Sequence, residues 1–152
     1  MLKTSLISST PERTFEIGRE LGGRLTAGDI VLLTGGLGAG KTLFTKGVLG
    51  ALGFDVDEVT SPSFALVNLY QAERHDVYHI DLWRLDNTPD PAEAVGLDEI
   101  LENPAAIAVI EWADRLGVFT RADRAFSVTI KGDGDEPRQI DIVAPREGRK
   151  KS

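Results

Sequence analysis

In IVLLTGGLGAGKT, Ile30 to Thr42, an apolar run passes without a break into a glycine-rich octapeptide. Ile30 to Leu33, closed by Thr34, suits a strand buried on both sides, because alternation is needed only where one face meets water. Gly35 to Thr42 matches the pattern G-x-x-x-x-G-K-[ST]. Its glycines open backbone angles closed to other residues, so successive amide N–H groups can converge on an anion. From Lys41 to Leu52 the residues Phe44, Val48, Leu49 and Leu52 recur at helical spacing, and Gly53 is placed to end that helix. Strand, loop and helix in this order aim free N–H groups and a positive dipole end at the loop, which suits a nucleoside polyphosphate.

Within that loop Lys41 supplies a full positive charge for the β and γ phosphates, and the Thr42 hydroxyl is sized as one ligand of Mg2+. Gly35, Gly36, Leu37, Gly38, Ala39, Gly40, Lys41, Thr42 and Leu43 form the candidate nucleotide-binding set, and ATP with Mg2+ the expected cofactor pair.

The surrounding composition narrows the class. A chain of 152 residues, 41% hydrophobic and 27% charged, fits one domain, read as 1–145 with a basic tail at 146–152. No apolar run approaches the length of a membrane span, and the N-terminus lacks a signal-peptide core, so a cytoplasmic protein is expected. With no Cys and two His, a thiolate or histidine metal site is excluded, leaving oxygen ligands for any metal. A formal net charge of -7 argues against autonomous nucleic-acid binding.

Other segments frame the loop. Ser9 or Thr10, then Pro11 and Glu12, starts a helix whose Ile17, Gly18, Leu21 and Leu25 share one face. Phe64 to Tyr70 alternates as a strand, with Val77 to Leu82 as its partner across a short turn. Pro91 to Leu101 reads as weakly helical. Ala105 to Ile110 is a second continuous apolar run, and Ala125 to Ile130 with Gln139 to Val143 flank a turn-rich segment that suggests a hairpin. These elements predict an α/β domain of three layers, with a mixed central sheet and an inserted antiparallel hairpin.

Phosphate hydrolysis also needs an acid at a strand end. Asp81 and Glu111 both qualify. Glu111 ends the more apolar strand and is the expected Mg2+ partner, directly or through water. Asp81 remains to position or deprotonate the attacking water, near the same metal. Thr60 to Phe64, with Ser61, lies where γ-phosphate-sensing segments lie in many nucleotide hydrolases; a capped turn is the other reading. Trp112 offers a flat face to a base or partner, or fills a core, and His79 reads as structural. Thr10 is a candidate nucleoside contact.

Taken together, LGAGKT at Leu37 to Thr42, SPSFALVNLY at Ser61 to Tyr70, HIDLWRL at His79 to Leu85 and IEW at Ile110 to Trp112 resemble the TsaE (YjeE) family. The resemblance runs from about Ser9 to Asp114. It implies a P-loop ATPase of bacterial threonylcarbamoyladenosine tRNA modification, weak alone and active with TsaB and TsaD, which would hold the tRNA. It also implies Lys41 on the phosphates, Thr42 and Glu111 on Mg2+, Asp81 in catalysis, Ser61 in a switch and Trp112 at the nucleotide or partner surface. Gly36, Ser63, Ala65 and Trp83 depart from the family pattern, which more often has Asp, Thr, Thr and Tyr there. A small-molecule kinase using Arg115, Arg121 or Arg124 in a lid, or a nucleotide-gated interaction module, are the competing readings.

Overall fold

The computed structural model describes residues 3–59, 66–71, 75–117, 119 and 124–145. The Thr60 to Phe64 segment with Ser61, the departures Ser63 and Ala65, and the basic tail lie outside the described residues.

The described strands are β1 (Lys3–Ser8), β2 (Ile30–Gly35), β3 (Val67–Gln71), β4 (Asp76–Asp81), β5 (Ala106–Glu111), β6 (Ala125–Lys131) and β7 (Arg138–Val143). They form one sheet in the order β1-β7-β6-β2-β5-β4-β3. Its centre is parallel, with β2 between β6 and β5 and β4 beyond β5. Both margins are antiparallel: β3 on β4 at one side, β6, β7 and β1 at the other. The expected mixed sheet with its inserted hairpin is therefore present.

Two helices, α1 (Pro11–Gly22) and α2 (Lys41–Ala51), cover one face. Ile17, Leu21, Phe44, Val48 and Leu49 pack there with Val31, Leu33, Val77, Ile107 and Val109. The opposite residues of the same strands, Ile30, Ile80 and Ile110, pack with Leu97 and Ala113 under α3 (Pro91–Val95) and α4 (Leu97–Leu101). Apolar side chains on both faces explain why the runs at 30–33 and 106–110 do not alternate. The two covering helices touch backbone to backbone. A Cβ on Gly18 would stand 2.2 Å from the Phe44 carbonyl oxygen, and one on Gly47 2.1 Å from that of Phe15, so any larger residue forces α1 and α2 apart.

Several boundaries differ from the sequence reading. Strand β1 is unanticipated; its alternation is weak, and its place comes from pairing with β7, Ser5 opposite Asp141. Helix α1 stops at Gly22 with Gly23 as its cap, and Leu25 joins the same core from the following turn. Pro91 to Leu101 is two short helices, because Gly96 takes φ 68° between them.

Candidate functional site

The sheet register brings the two carboxylates together. Leu33 of β2 pairs with Glu111 of β5, and Glu111 with Asp81 of β4, so all three lie on one rung. Asp81 shares the parity of Val77, and Glu111 that of Ile107 and Val109, which places both acids on the α2 side. The glycine loop leaves β2 just beyond that rung, at the carboxyl ends of the parallel strands, where open α/β sheets form their crevice.

The loop is shaped by two of its glycines. A Cβ on Gly35 would lie 2.7 Å from the Ile130 carbonyl oxygen, and Gly40 holds φ 111° as it enters α2. Gly36 is different: an added Cβ meets nothing within 4 Å. Helix α2 begins with no side-chain cap and no acidic residue in its first turn. Its leading N–H groups therefore meet no competing carboxylate of their own helix.

Lys41, only 6% exposed, donates to the carbonyl oxygens of Gly35 at 2.8 Å and Gly36 at 2.7 Å. Its Nζ also stands 4.2 Å from the centre of the Trp112 ring. Burial lowers the proton affinity of this amine, and the charges of Glu111, Asp81 and Asp114 oppose that shift. Trp112 follows Glu111 directly and takes φ 58°, an uncommon angle for a bulky residue. Its ring lies 4.6 Å from that of Trp83, with the Arg115 guanidinium over both.

Asp81 and Glu111 are both buried. The Trp83 backbone N–H donates to Asp81 Oδ1 at 2.9 Å. Burial pushes the Asp81 carboxyl above the usual carboxylate value, with Glu111 adding to the shift; the Trp83 bond, His79 and Lys41 pull the other way. Glu111 Oε2 is hydrogen-bonded to Nε2 of the buried His79.

A cleft of about 400 Å³ is lined by Leu37, Gly38, Gly40, Lys41, Thr42, Leu43, Asp81, Trp83, Glu111 and Trp112. Thr10 and Ala39 line a neighbouring cavity of about 310 Å³ that shares Gly38, Gly40 and Leu43 and is closed by Ser8, Thr14 and Arg138. Thr10 also caps α1, accepting from the Arg13 N–H. The candidate residues thus converge on two adjoining spaces around one loop, except that Gly35 and Gly36 serve as acceptors for Lys41 and Ser61 lies outside the described residues.

Sequence reasoning missed three residues here. Trp83 lies within the quoted HIDLWRL and had its signal there, as a second aromatic near an acid. His79 packs as expected of a structural residue, but it also holds Glu111. Arg138 of β7 donates to the carbonyl oxygens of Ala39 at 3.1 Å and Gly38 at 3.3 Å, and also to Gly134 and Glu136. It ties the C-terminal hairpin to the loop across about a hundred residues of sequence, a span no local pattern announces.

Among the described residues no helix is long and apolar enough to cross a membrane. The sequence model of the family described as "Threonylcarbamoyl adenosine biosynthesis protein TsaE" matches residues 8–140. A tRNA threonylcarbamoyladenosine biosynthesis protein TsaE of Bacillus subtilis is 34% identical over 134 residues, 88% of this chain and 81% of its own. Its counterpart in Treponema pallidum is 36% identical over 137 residues, 90% of this chain and 98% of its own. The crystal structure of Bacillus subtilis YdiB superposes with a TM-score of 0.71 at 28% identity, covering 95% of this chain and 87% of that one. With most of its length matched in both sequence and fold, the chain belongs to the TsaE family of threonylcarbamoyl adenosine biosynthesis proteins.

Proposed function

We propose that this protein is a Mg2+-dependent ATPase of the cytoplasm that supports repeated rounds of threonylcarbamoyladenosine formation on tRNA, acting with TsaB- and TsaD-type partners. The observation that carries this reading is the single rung of Asp81 and Glu111 facing Lys41 and Thr42 across one cleft. The phosphates fit the loop amides and the uncapped start of α2, and the adjoining cavity at Thr10 suits the nucleoside. When a polyphosphate enters, Lys41 exchanges the neutral Gly35 and Gly36 carbonyls for anionic phosphate oxygens, which pair charge with charge.

The donors present suit Mg2+. Thr42, Glu111 and Asp81 offer hard oxygen atoms, and the described residues hold no cluster of three or more His, Cys, Asp and Glu side chains that would cage a metal alone. Such a sparse set matches an ion that keeps waters and takes phosphate oxygens as ligands. Bound there, Mg2+ would neutralise charge developing between the β and γ phosphates. Thr42 and Glu111 would hold it. Asp81, whose burial favours accepting a proton, orients and deprotonates the attacking water.

The acidic balance of the chain fits a protein that leaves tRNA to its partners. Of the arginines the kinase reading would use, Arg115 lies over the rings of Trp83 and Trp112, and Arg121 is outside the described residues. The test is a reconstituted modification assay with TsaB- and TsaD-type proteins. Multiple turnover is expected with this protein and single turnover with Lys41→Ala; equal turnover would overturn the proposal.

A further inference from the structure

The proposed chemistry gives Glu111 a task but leaves its buried partner without one. His79 is fully buried on β4, two residues before Asp81 and on the same face, and its Nε2 is bonded to Oε2 of Glu111. Glu111 itself is 2% exposed. The other ring nitrogen, Nδ1, is buried with no hydrogen-bond partner among the described residues. Folding normally avoids leaving such an atom unpaired. If this position only filled space beneath Tyr70, whose ring centre is 6.3 Å away, an aliphatic side chain would do so without stranding a nitrogen. The residue type is therefore explained by Nε2 and its bond to the carboxylate.

We infer that His79 is a positioning residue, which fixes the Glu111 carboxylate by holding Oε2 so that Oε1 is kept for the metal shell of bound Mg2+–ATP. A free glutamate side chain samples many rotamers, and each metal contact would have to freeze them; the imidazole does this beforehand. An ionised carboxylate can only accept, so Nε2–H is the donor in this contact. This inference rests on the proposed Mg2+–ATP reading of the cleft.

The test is calorimetric titration of the full chain with ATP, with and without Mg2+, for the wild type, His79→Leu, His79→Gln and His79→Asn, alongside thermal melts. The quantity read is the ratio of the metal-free Kd to the Kd with Mg2+. His79→Leu should lower that ratio about tenfold while leaving metal-free affinity unchanged, in the range found for partners of metal ligands. His79→Gln, whose amide N–H reaches as far as Nε2, should restore most of it. If the leucine variant fails to fold, Gln against the shorter Asn decides: Gln keeps the ratio and Asn loses it. An unchanged ratio in the leucine variant, or a glutamine variant no better than leucine or asparagine, overturns the positioning role whatever the melting temperatures. A wild type that binds ATP with no gain from Mg2+ overturns the underlying reading, and this inference with it.

Discussion

Lys41 and Trp112 are in contact: the ammonium lies 4.2 Å from the indole centre while it donates to Gly35 and Gly36. In the proposed reading, the Trp112 ring and the β and γ phosphates of a nucleotide would draw on the same Nζ. Nucleotide binding should therefore change the environment of Trp112 more than that of Trp83. Trp83→Phe is expected to keep the fluorescence response to ATP, and Trp112→Phe to lose most of it. A response that follows Trp83 instead would remove Lys41 from this account.

Lys41→Ala should weaken ATP binding by about 3 kcal/mol, roughly two orders of magnitude, because a charged donor to phosphate is deleted. Thermal stability is expected to hold or rise slightly, since burial disfavours the charged amine. Calorimetry for affinity and a melt for stability separate these effects. A large loss of stability would mean that Lys41 mainly ties the loop together through Gly35 and Gly36.

Gly35 and Gly36 stand side by side in the motif and should respond oppositely to substitution. Gly35→Ala places a Cβ 2.7 Å from the Ile130 carbonyl oxygen, so a cost of about 2 kcal/mol or more is expected from the forced shift of β6. Gly36→Asp, the residue more usual in the resemblance, meets open space, and its change in stability should stay within about 0.5 kcal/mol. Paired melting curves check this. A strongly destabilised Gly36→Asp would show that the open space is used by something other than bulk water.

The same contrast marks what the sequence could convey. Ile30 to Thr42 announces strand, loop and helix because its signals are local: an apolar run, a glycine pattern and a helical period. Asp81 and Glu111 were legible as strand ends, but their shared rung depends on β4 and β5 being neighbours, a pairing between segments 30 residues apart in register. Arg138 was not legible at all. Its partners are carbonyl oxygens, which every residue carries, so no residue pattern in the loop can point to it. Strand β1 escaped for a related reason, since an exposed edge with mostly polar residues resembles a loop until its partner β7 is placed.

Arg138→Ala should loosen the loop by removing donors to Ala39 and Gly38. The expected cost is about 1–2 kcal/mol in stability, with a several-fold loss of ATP affinity from a less ordered phosphate cradle. Arg138→Lys should recover little, because one ammonium cannot bridge the loop and the Gly134 turn as a planar fork does. Hydrogen exchange at residues 38–41 reads the effect directly. Unchanged exchange in the alanine variant would reduce Arg138 to a hairpin brace.

Asp81→Asn separates the electrostatics of the cleft from its packing. Because burial raises the folded-state pKa of Asp81 above its ordinary 3.8, the folded protein binds that proton more tightly than the unfolded chain does. The stability tied to the proton is thus fully present below the unfolded value and lost as pH rises through the folded one. Asparagine keeps an oxygen for the Trp83 N–H and carries no charge to desolvate. At neutral pH the variant should be more stable than the wild type, by on the order of 1 kcal/mol or about 2–4 °C in Tm for a chain of this size. The gain should shrink as pH falls through the raised folded-state value, where the wild-type carboxyl takes up its proton. ATP hydrolysis should be lost while ATP binding is retained, because the acceptor for the proton of water is gone. Melts across pH 4 to 8 and a turnover assay check the two halves independently. A variant that is less stable at neutral pH would show that the carboxylate is held by more than the Trp83 N–H bond and the nearby charges, and retained turnover would move the base to another residue.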